Sequence, residues 1–463
     1  MHVNSNKILL YILISHLILW TAIPSIFNTN LPLDTIEVLA WGNELKLGYD
    51  KYPPIFPLFT EIFFKIFGNQ DWAYYFLSQI FVVSSFLVVF KFSKYFFEDD
   101  FLRLISVLLL ETIYFFNYTT PELNAFIPLF LFLAITGFFC WRAIIFDKNL
   151  DWIIFGVFAG ISTQTFYLSL YFLASISLFF AGEIIVKKKL NYKYFLAIFS
   201  YFITISPHLY FLFFQDSNSI KYAIFRSFGD PLSGLSEINL LDHFLYPLIF
   251  LIKQFLILLP LFIFLRILLN NFKTQINFKD KKLIFLFSLT LLPIILMFLT
   301  SLIGGVRIRT MWMTTFYVFP GVFFVYLFKS QIQSFKFKKF FTFFLIIFLL
   351  LPFAYSVDSY VQKDKRTDFP GREIAKVVQN TWDENFTNDI KFIIGEGWVY
   401  GGWYGGNLSY HLKDRPQLIY RINNENSNFG FIIVDKHISV NKCGGVLLKI
   451  EPYFESCLIG NKK

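Results

Sequence analysis

Two carboxylates stand three residues apart in Leu33-Asp34-Thr35-Ile36-Glu37, and a lysine follows in Lys51-Tyr52-Pro53-Pro54. A carboxylate at a membrane-facing cleft can take a proton from an acceptor hydroxyl or amine. Burial beside lipid raises its pKa toward the working range. The same spacing also suits a capping box, with Asp34 at a helix N-cap and Glu37 three residues on. Lys51 could meet a lipid phosphate as a point charge, and an interfacial turn is the plainer reading of its Pro-Pro neighbours. Further along, Gly304-Gly305-Val306-Arg307-Ile308-Arg309-Thr310-Met311-Trp312 carries two arginines. A guanidinium pair grips phosphate or diphosphate with two parallel hydrogen bonds. The alternative is a headgroup contact, with Trp312 in the aromatic belt.

Ionisable groups at membrane depth are expensive and commonly functional. Glu111, Glu122, His208 and Lys253 qualify, and with Asn124 and Trp312 they are candidates for a substrate cleft. The plainer readings are that Lys253 snorkels to the headgroups and that His208 caps a helix after Pro207. Glu183, beside Lys187–Lys189, reads as an interfacial ion pair.

The elements that must hold these residues are membrane spans. Of 463 residues, 56% are hydrophobic and only 16% charged, too few charges to cover a water-soluble globule. The mean hydropathy is +0.55. Long apolar runs recur, as in Leu256–Leu269, Leu283–Ile303 and Phe340–Phe353. We place eleven spans at about 8–27, 72–96, 102–118, 123–146, 152–166, 168–186, 194–214, 244–269, 283–303, 312–329 and 340–357. The stretch 152–186 is split at Gln164–Tyr167 so that the topology closes. No small-residue cleavage site follows the Ile8–Phe27 run, which therefore reads as a retained first span.

The net charge of +9 would suggest nucleic acid in a soluble protein. Here it marks loop orientation. One alternate set of loops, with Lys7, holds nineteen Lys and Arg, Lys273 among them, against seven in the opposite set. The richer set is cytoplasmic by the positive-inside rule. The N-terminus is then inside, and residues 28–71 and 358–463 are outside. Glu111, Glu122, His208 and Lys253 all fall toward that outer side.

Within 28–71, the amphipathic stretch from Ile55 to Phe67 is too short to span and reads as a helix in the interface plane. Residues 1–357 form the membrane core. Residues 358–463 are polar and read as a small soluble α/β domain: a helix over Pro370–Asn385 with Ile374, Val377, Val378 and Trp382 on one face, and strands at Ile390–Gly395, Leu418–Arg421, Phe429–Val434 and Val446–Ile450. Cys443 and Cys457 lie in this domain and could pair outside the cytoplasm; Cys140 sits in a span. Trp398–Tyr404 reads either as a sugar-stacking surface or as a glycine-rich loop packed on the domain. There is no internal repeat, P-loop, GxGxxG or metal-ligand spacing, and a divalent-metal requirement is not legible.

Leu33-Asp34-x-x-Glu37, Ala40-Trp41-Gly42, Gly48-Tyr49, Lys51-x-Pro53-Pro54 and Phe67-Gly68-Asn69-Gln70-Asp71-Trp72-Ala73 form an ordered series. It resembles the first outer loop of the GT-C glycosyltransferases of family 39, which include protein O-mannosyltransferases and the lipid A aminoarabinose transferase. A bacterial branch of that family is the closer likeness. It shares segments like Phe116–Thr119 with Glu122 and Asn124, Pro207–His208, Arg309–Trp312, Phe369–Glu373, Gly406–Asn407 and Asp414–Pro416. The resemblance implies a GT-C core with a soluble extracytoplasmic domain in a bacterial plasma membrane. It implies a polyprenyl-phosphate sugar as donor and a lipid, glycan or protein acceptor in envelope synthesis. By the same likeness Asp34 is the catalytic base supported by Glu37, and Lys51, Arg307 and Arg309 contact the donor phosphate. Tyr52 here separates Lys51 from the Pro-Pro pair, where several relatives place the basic residue directly before it. A single displacement on such a donor inverts the anomeric carbon. A transporter or lipid-linked glycan flippase is the rival reading, since it too puts charges at membrane depth.

Overall fold

The computed structural model describes residues 4–215, 218–228, 239–271, 276–277, 279–419, 429–439 and 443–463. The helices in chain order are α1 (Ser5–Phe27), α2 (Leu33–Gly42), α3 (Ile55–Phe67), α4 (Asp71–Ser93), α5 (Asp100–Glu111), α6 (Phe126–Phe146), α7 (Asn149–Thr165), α8 (Ser169–Lys187), α9 (Lys193–Phe214), α10 (Asn218–Phe228), α11 (Asp242–Leu268), α12 (Lys281–Thr290), α13 (Leu292–Gly304), α14 (Pro320–Phe328) and α15 (Phe337–Val361). Among the described residues seven helices are long and apolar enough to cross a bilayer. Two bent pairs raise this to nine: α12 with α13, bent by 45°, and the 3-10 turn Thr310–Val318 with α14, bent by 58°.

Eleven spans were expected, and the difference lies at α5 and α7. They have 12 and 17 residues. Apolarity carried the expected third span to residue 118, but the helix stops at Glu111. There the chain turns, and Asn117 Nδ2 donates to the Glu111 carbonyl at 2.7 Å. A run of apolar residues cannot tell a buried turn from a continuing span. The division of 152–186 falls where it was placed, with α7 ending at Thr165 and α8 beginning at Ser169. Lys273, counted for orientation, lies outside the described residues.

Close packing holds the bundle. A Cβ at Gly156 would stand 2.2 Å from the Ala197 carbonyl oxygen, so glycine is what lets α7 lie against α9. Aromatic rings fill the interior, as where Phe116 meets Phe130 at 4.5 Å and Trp141 meets Phe285 at 4.6 Å.

Beyond α15 lie α16 (Gly371–Asn385), α17 (Gly406–His411) and the strands β1 (Ile390–Gly395), β2 (Gln417–Ile419), β3 (Gly430–Asp435), β4 (Val446–Ile450) and β5 (Phe454–Ile459). The sheet order is β2-β1-β3-β5-β4. β1 pairs in parallel with β2 and β3, and β5 is antiparallel to β3 and β4. On α16, Ile374, Val378 and Trp382 are buried but Val377 is 48% exposed; Ala375 takes the inward place. Tyr420 and Arg421, expected in the second strand, lie outside the described residues. Strand β5 was not foreseen, because Phe454-Glu455-Ser456-Cys457 alternates too weakly to mark an inward face. Cys443 and Cys457 are joined, with their Cα atoms 5.7 Å apart.

This domain is tied to the first loop. Asn30 Nδ2 donates to Asn407 Oδ1 at 2.8 Å, and the backbone N–H groups of Thr29 and Asn30 both donate to the Thr367 carbonyl at 3.0 Å. Arg415 reaches Glu61 of α3 with two hydrogen bonds, of 3.1 and 2.6 Å.

Candidate active site

The helix α2 decides how the paired acids are used. Its N-cap is Pro32, which has no side chain that could cap it. Asp34 is therefore inside the first turn and not at the cap, so the capping-box reading does not hold. One turn on, Glu37 stands on the same face. Lys51 returns across that face through the loop before α3. Its Nζ donates to Asp34 Oδ1 at 2.8 Å and to Glu37 Oε2 at 2.7 Å. The Tyr52 ring lies beneath the ammonium at 4.9 Å. Trp41 and Phe56 meet that ring edge-on at 5.7 Å each, which fixes the loop.

Burial sets the roles of the two acids apart. The Glu37 side chain is 4% exposed and that of Asp34 is 22%. Burial pushes the Glu37 carboxyl above its ordinary pKa; Lys51 opposes this and the Asp34 charge adds to it. For Lys51, burial alone would depress the ammonium, but the oxygens of Tyr52, Asp34 and Glu37 outweigh it and hold it above its ordinary value. The ammonium is thus a fixed positive charge at any working pH.

A third acid arrives from the turn before α6. The carboxylate of Glu122 accepts the backbone N–H of Asp34, which makes Glu122 the electrostatic cap of α2. Burial, and then the Asp34 charge, push its pKa up to about 7, against the pull of Lys51 and Arg366. Its folded pKa is above the unfolded one, so its ionisation costs stability as pH rises toward 7 and none below the unfolded value. We expect the thermal midpoint of the wild type to fall between pH 5 and about 7.5 relative to Glu122→Gln. Parallel midpoints across that window would remove Glu122 from this role.

A cation from another element acts on Glu37, and two more lie near that cation. Arg226 of α10 pulls the Glu37 pKa down, and Tyr222 of the same helix acts on Lys51. The segment 306–309 is extended, with Val306 and Ile308 buried and Arg307 and Arg309 outward. Burial lowers the Arg309 pKa, and the charges of Arg226 and Arg307 lower it further. Three guanidinium groups thus lie close enough to repel one another, which is an arrangement for an anion. Arg226 was counted for orientation only. Its place in an outer loop, against the positive-inside trend, was the signal that Arg307 and Arg309 also carried.

Other candidates prove to hold the frame. His208 Nδ1 meets the Leu47 carbonyl at 2.7 Å and its Nε2 meets Tyr167 OH at 2.7 Å. A carbonyl only accepts, so Nδ1 donates. His208 pins the 44–50 loop, while Tyr167 also bonds Ser219 at the start of α10 at 3.0 Å. Asn124 Oδ1 accepts the Phe126 N–H at 3.1 Å at the start of α6. Glu111 is also placed elsewhere. Its Oε1 meets His16 Nδ1 at 2.6 Å, and His16 Nε2 meets Gln79 Oε1 at 3.0 Å, all buried. A lone His in a span gave no sign of that partner, 95 residues away. Lys253 stands roughly 16 Å along α11 from its first residue, at 1.5 Å per residue, and joins none of the contacts above. Trp312 packs its ring on the apolar core.

The soluble domain closes the site from above. Gly397–Gly405 forms a π-helical turn in which Gly401, Gly402, Trp403 and Gly405 are buried. A Cβ at Gly402 would stand 3.3 Å from Glu37 Oε1. Gly402 therefore packs against Glu37, and of the two tryptophans in this turn Trp398 is well exposed, at 50%.

Residues 51–211 match the family model described as dolichyl-phosphate-mannose-protein mannosyltransferase. The matched segment begins at Lys51, so Asp34 and Glu37 precede it. No curated protein sequence matches the chain. Among solved structures, ArnT from Cupriavidus metallidurans bound to undecaprenyl phosphate is similar with a TM-score of 0.63 at 8% identity, over 98% of each chain. The same protein in its apo state gives 0.51 at 10% identity, again over 98% of each chain. The match to the family model over residues 51–211 and the fold shared along the whole chain bear out the resemblance drawn from the first loop: this multi-pass membrane chain has an ArnT-like fold and, over 51–211, is similar to the dolichyl-phosphate-mannose-protein mannosyltransferases.

Proposed function

We propose that the chain transfers a sugar from a polyprenyl-phosphate donor to an acceptor on the outer face of a bacterial plasma membrane, for envelope glycoconjugate synthesis. One observation carries this reading: a largely buried lysine held between two carboxylates, with Arg226 acting on Glu37 and Arg307 and Arg309 near Arg226. The undecaprenyl phosphate bound by the structurally similar ArnT supports the same donor class. The positive-inside count supports the outer location of the loop and of residues 358–463.

Lys51 and the arginines receive the donor phosphate. As the phosphate takes a share of Lys51, Asp34 is released to act as base. Asp34 suits this better than Glu37 because it is the more accessible of the two. The acceptor oxygen or nitrogen attacks the anomeric carbon and its proton passes to Asp34. The bond from that carbon to the phosphate oxygen breaks, and its electron pair leaves with the polyprenyl phosphate, whose charge the cations stabilise. The anomeric carbon inverts.

The test is Asp34→Asn in nanodiscs, assayed with undecaprenyl-phosphate sugars and envelope extract as acceptor. Transfer is expected to fall by roughly 10²–10⁴-fold, with undecaprenyl phosphate still bound. Undiminished transfer by the variant would remove Asp34 as base.

A further inference from the structure

We infer that Trp398 and Arg366 form the acceptor subsite of this centre, and that it takes a saccharide carrying a negative charge. This rests on the transferase reading above and names the acceptor class for the same site.

The position comes from Gly402. The point where its Cβ would stand lies 3.3 Å from Glu37 Oε1 and 3.6 Å from Trp398 Cδ1. The indole edge is therefore within about 7 Å of the carboxylate, a span that one sugar residue can bridge. Trp398 is 50% exposed on a turn whose other tryptophan, Trp403, is buried. An exposed indole here leaves apolar ring surface in water near the acids, even with the Arg366 guanidinium stacked on it. The apolar C–H face of a sugar ring stacks on such a surface, while its hydroxyls stay in water.

The charge comes from Arg366. Its guanidinium lies 4.8 Å from the centre of the Trp398 ring and covers one face, leaving the other for a ligand. Its charge also acts on Glu122. Lys363 before it is exposed, while Lys365 is half-buried and donates to the Asp358 carbonyl at 3.3 Å. These cations are separate from the donor set. Arg226 acts on Glu37 and belongs with Arg307 and Arg309, whereas Arg366 acts on Glu122. Arg366, stacked on Trp398, is thus a cationic position apart from Arg226, Arg307 and Arg309 and matches a second anionic substrate. The planar fork of arginine suits a carboxylate or phosphate on the acceptor sugar.

The test uses full-length protein in nanodiscs of neutral lipid, with galacturonic acid trisaccharide and neutral galactotriose as probes, and with undecaprenyl phosphate measured separately. The wild type should bind the charged trisaccharide more tightly than the neutral one. Trp398→Ala should weaken both by roughly tenfold, Trp398→Phe should retain most of the affinity, and Arg366→Gln should abolish the preference for the charged form. Undecaprenyl phosphate should bind equally to all four proteins. If it binds normally while the wild type ignores both saccharides, or while Trp398→Ala matches the wild type, the subsite is overturned and the transferase reading stands. If Arg366→Gln keeps the preference, the charge assignment is overturned. If the wild type fails to bind undecaprenyl phosphate, the donor reading falls and takes the subsite with it.

Discussion

Lys51→Met is expected to abolish sugar transfer and to lower the thermal midpoint together. The lysine has two functions that cannot be separated, because its one ammonium bridges Asp34 and Glu37 at 2.8 and 2.7 Å and is also the charge nearest the proposed phosphate. Removing one partner of a buried pair leaves the other charge uncompensated, at a cost of about 3–5 kcal/mol. Glu37, at 4% exposure, would carry most of that cost. It has an escape, since it can take up a proton. Its pKa is already raised by burial, and losing Lys51 removes the largest opposing pull. The sign of the pH dependence follows. A carboxyl whose folded pKa stands above its unfolded value destabilises the fold progressively as pH rises through that window, and not below it. The deficit of Lys51→Met should therefore be small in acid and grow toward neutral pH. The double variant Lys51→Met with Glu37→Gln should recover stability at neutral pH without recovering transfer. Lys51→Arg should recover part of the stability only, because a planar fork does not fill the place of a point charge. Unchanged undecaprenyl phosphate affinity in Lys51→Met would sink the phosphate role, and a midpoint equal to wild type at neutral pH would sink the structural one.

Arg415→Ala is expected to produce the largest loss of stability outside the active centre. Arg415 grips both oxygens of Glu61, donates to the Leu39 carbonyl at 3.2 Å and stacks its guanidinium 3.3 Å from the Phe64 ring centre. Its own carbonyl accepts from Asn43 Nδ2 at 2.7 Å. One side chain thus ties the approach to β2 to both α2 and α3. Glu61 is 4% exposed, and its next cation, Lys65, is 4.0 Å away on an exposed side chain. Truncating Arg415 should again cost about 3–5 kcal/mol. Arg415 has φ 47°, in the left-handed region, so Arg415→Gly removes the side chain without adding backbone strain and is the cleaner variant. Hydrogen exchange should quicken in α3 and in 406–419 while α4 and α6 stay protected. Pairing the change with Glu61→Leu should return much of the loss, since an apolar replacement of a buried pair is commonly near neutral. Identical midpoints for wild type and Arg415→Gly would show that the soluble domain is held by other contacts. Transfer should fall as well, because Gly402, on the same domain, closes over Glu37.

The sequence by itself determined the membrane character, the division of the 152–186 stretch, the helix at Ile55–Phe67 and two strands to the residue. Those properties follow from local patterns: apolar length, amphipathic period and turn residues act within a few turns of chain. It also brought Asp34, Glu37 and Lys51 into view, because they lie within eighteen positions in one loop. What only the tertiary structure decided is how they are used. The sequence allowed Asp34 and Glu37 to be a helix cap, and the fold instead starts α2 at Leu33 and turns both acids onto Lys51. Glu122, Arg226 and Gly402 reach the same acids from separate elements, and Arg366 acts on Glu122 in turn; no spacing encodes such an approach. Glu111 shows the converse: at membrane depth it read as a cleft residue, yet His16 and Gln79 bury it in a polar network. Charge pairing depends on distance through space and on exclusion of water, and both are set by the packing of helices far apart in the chain.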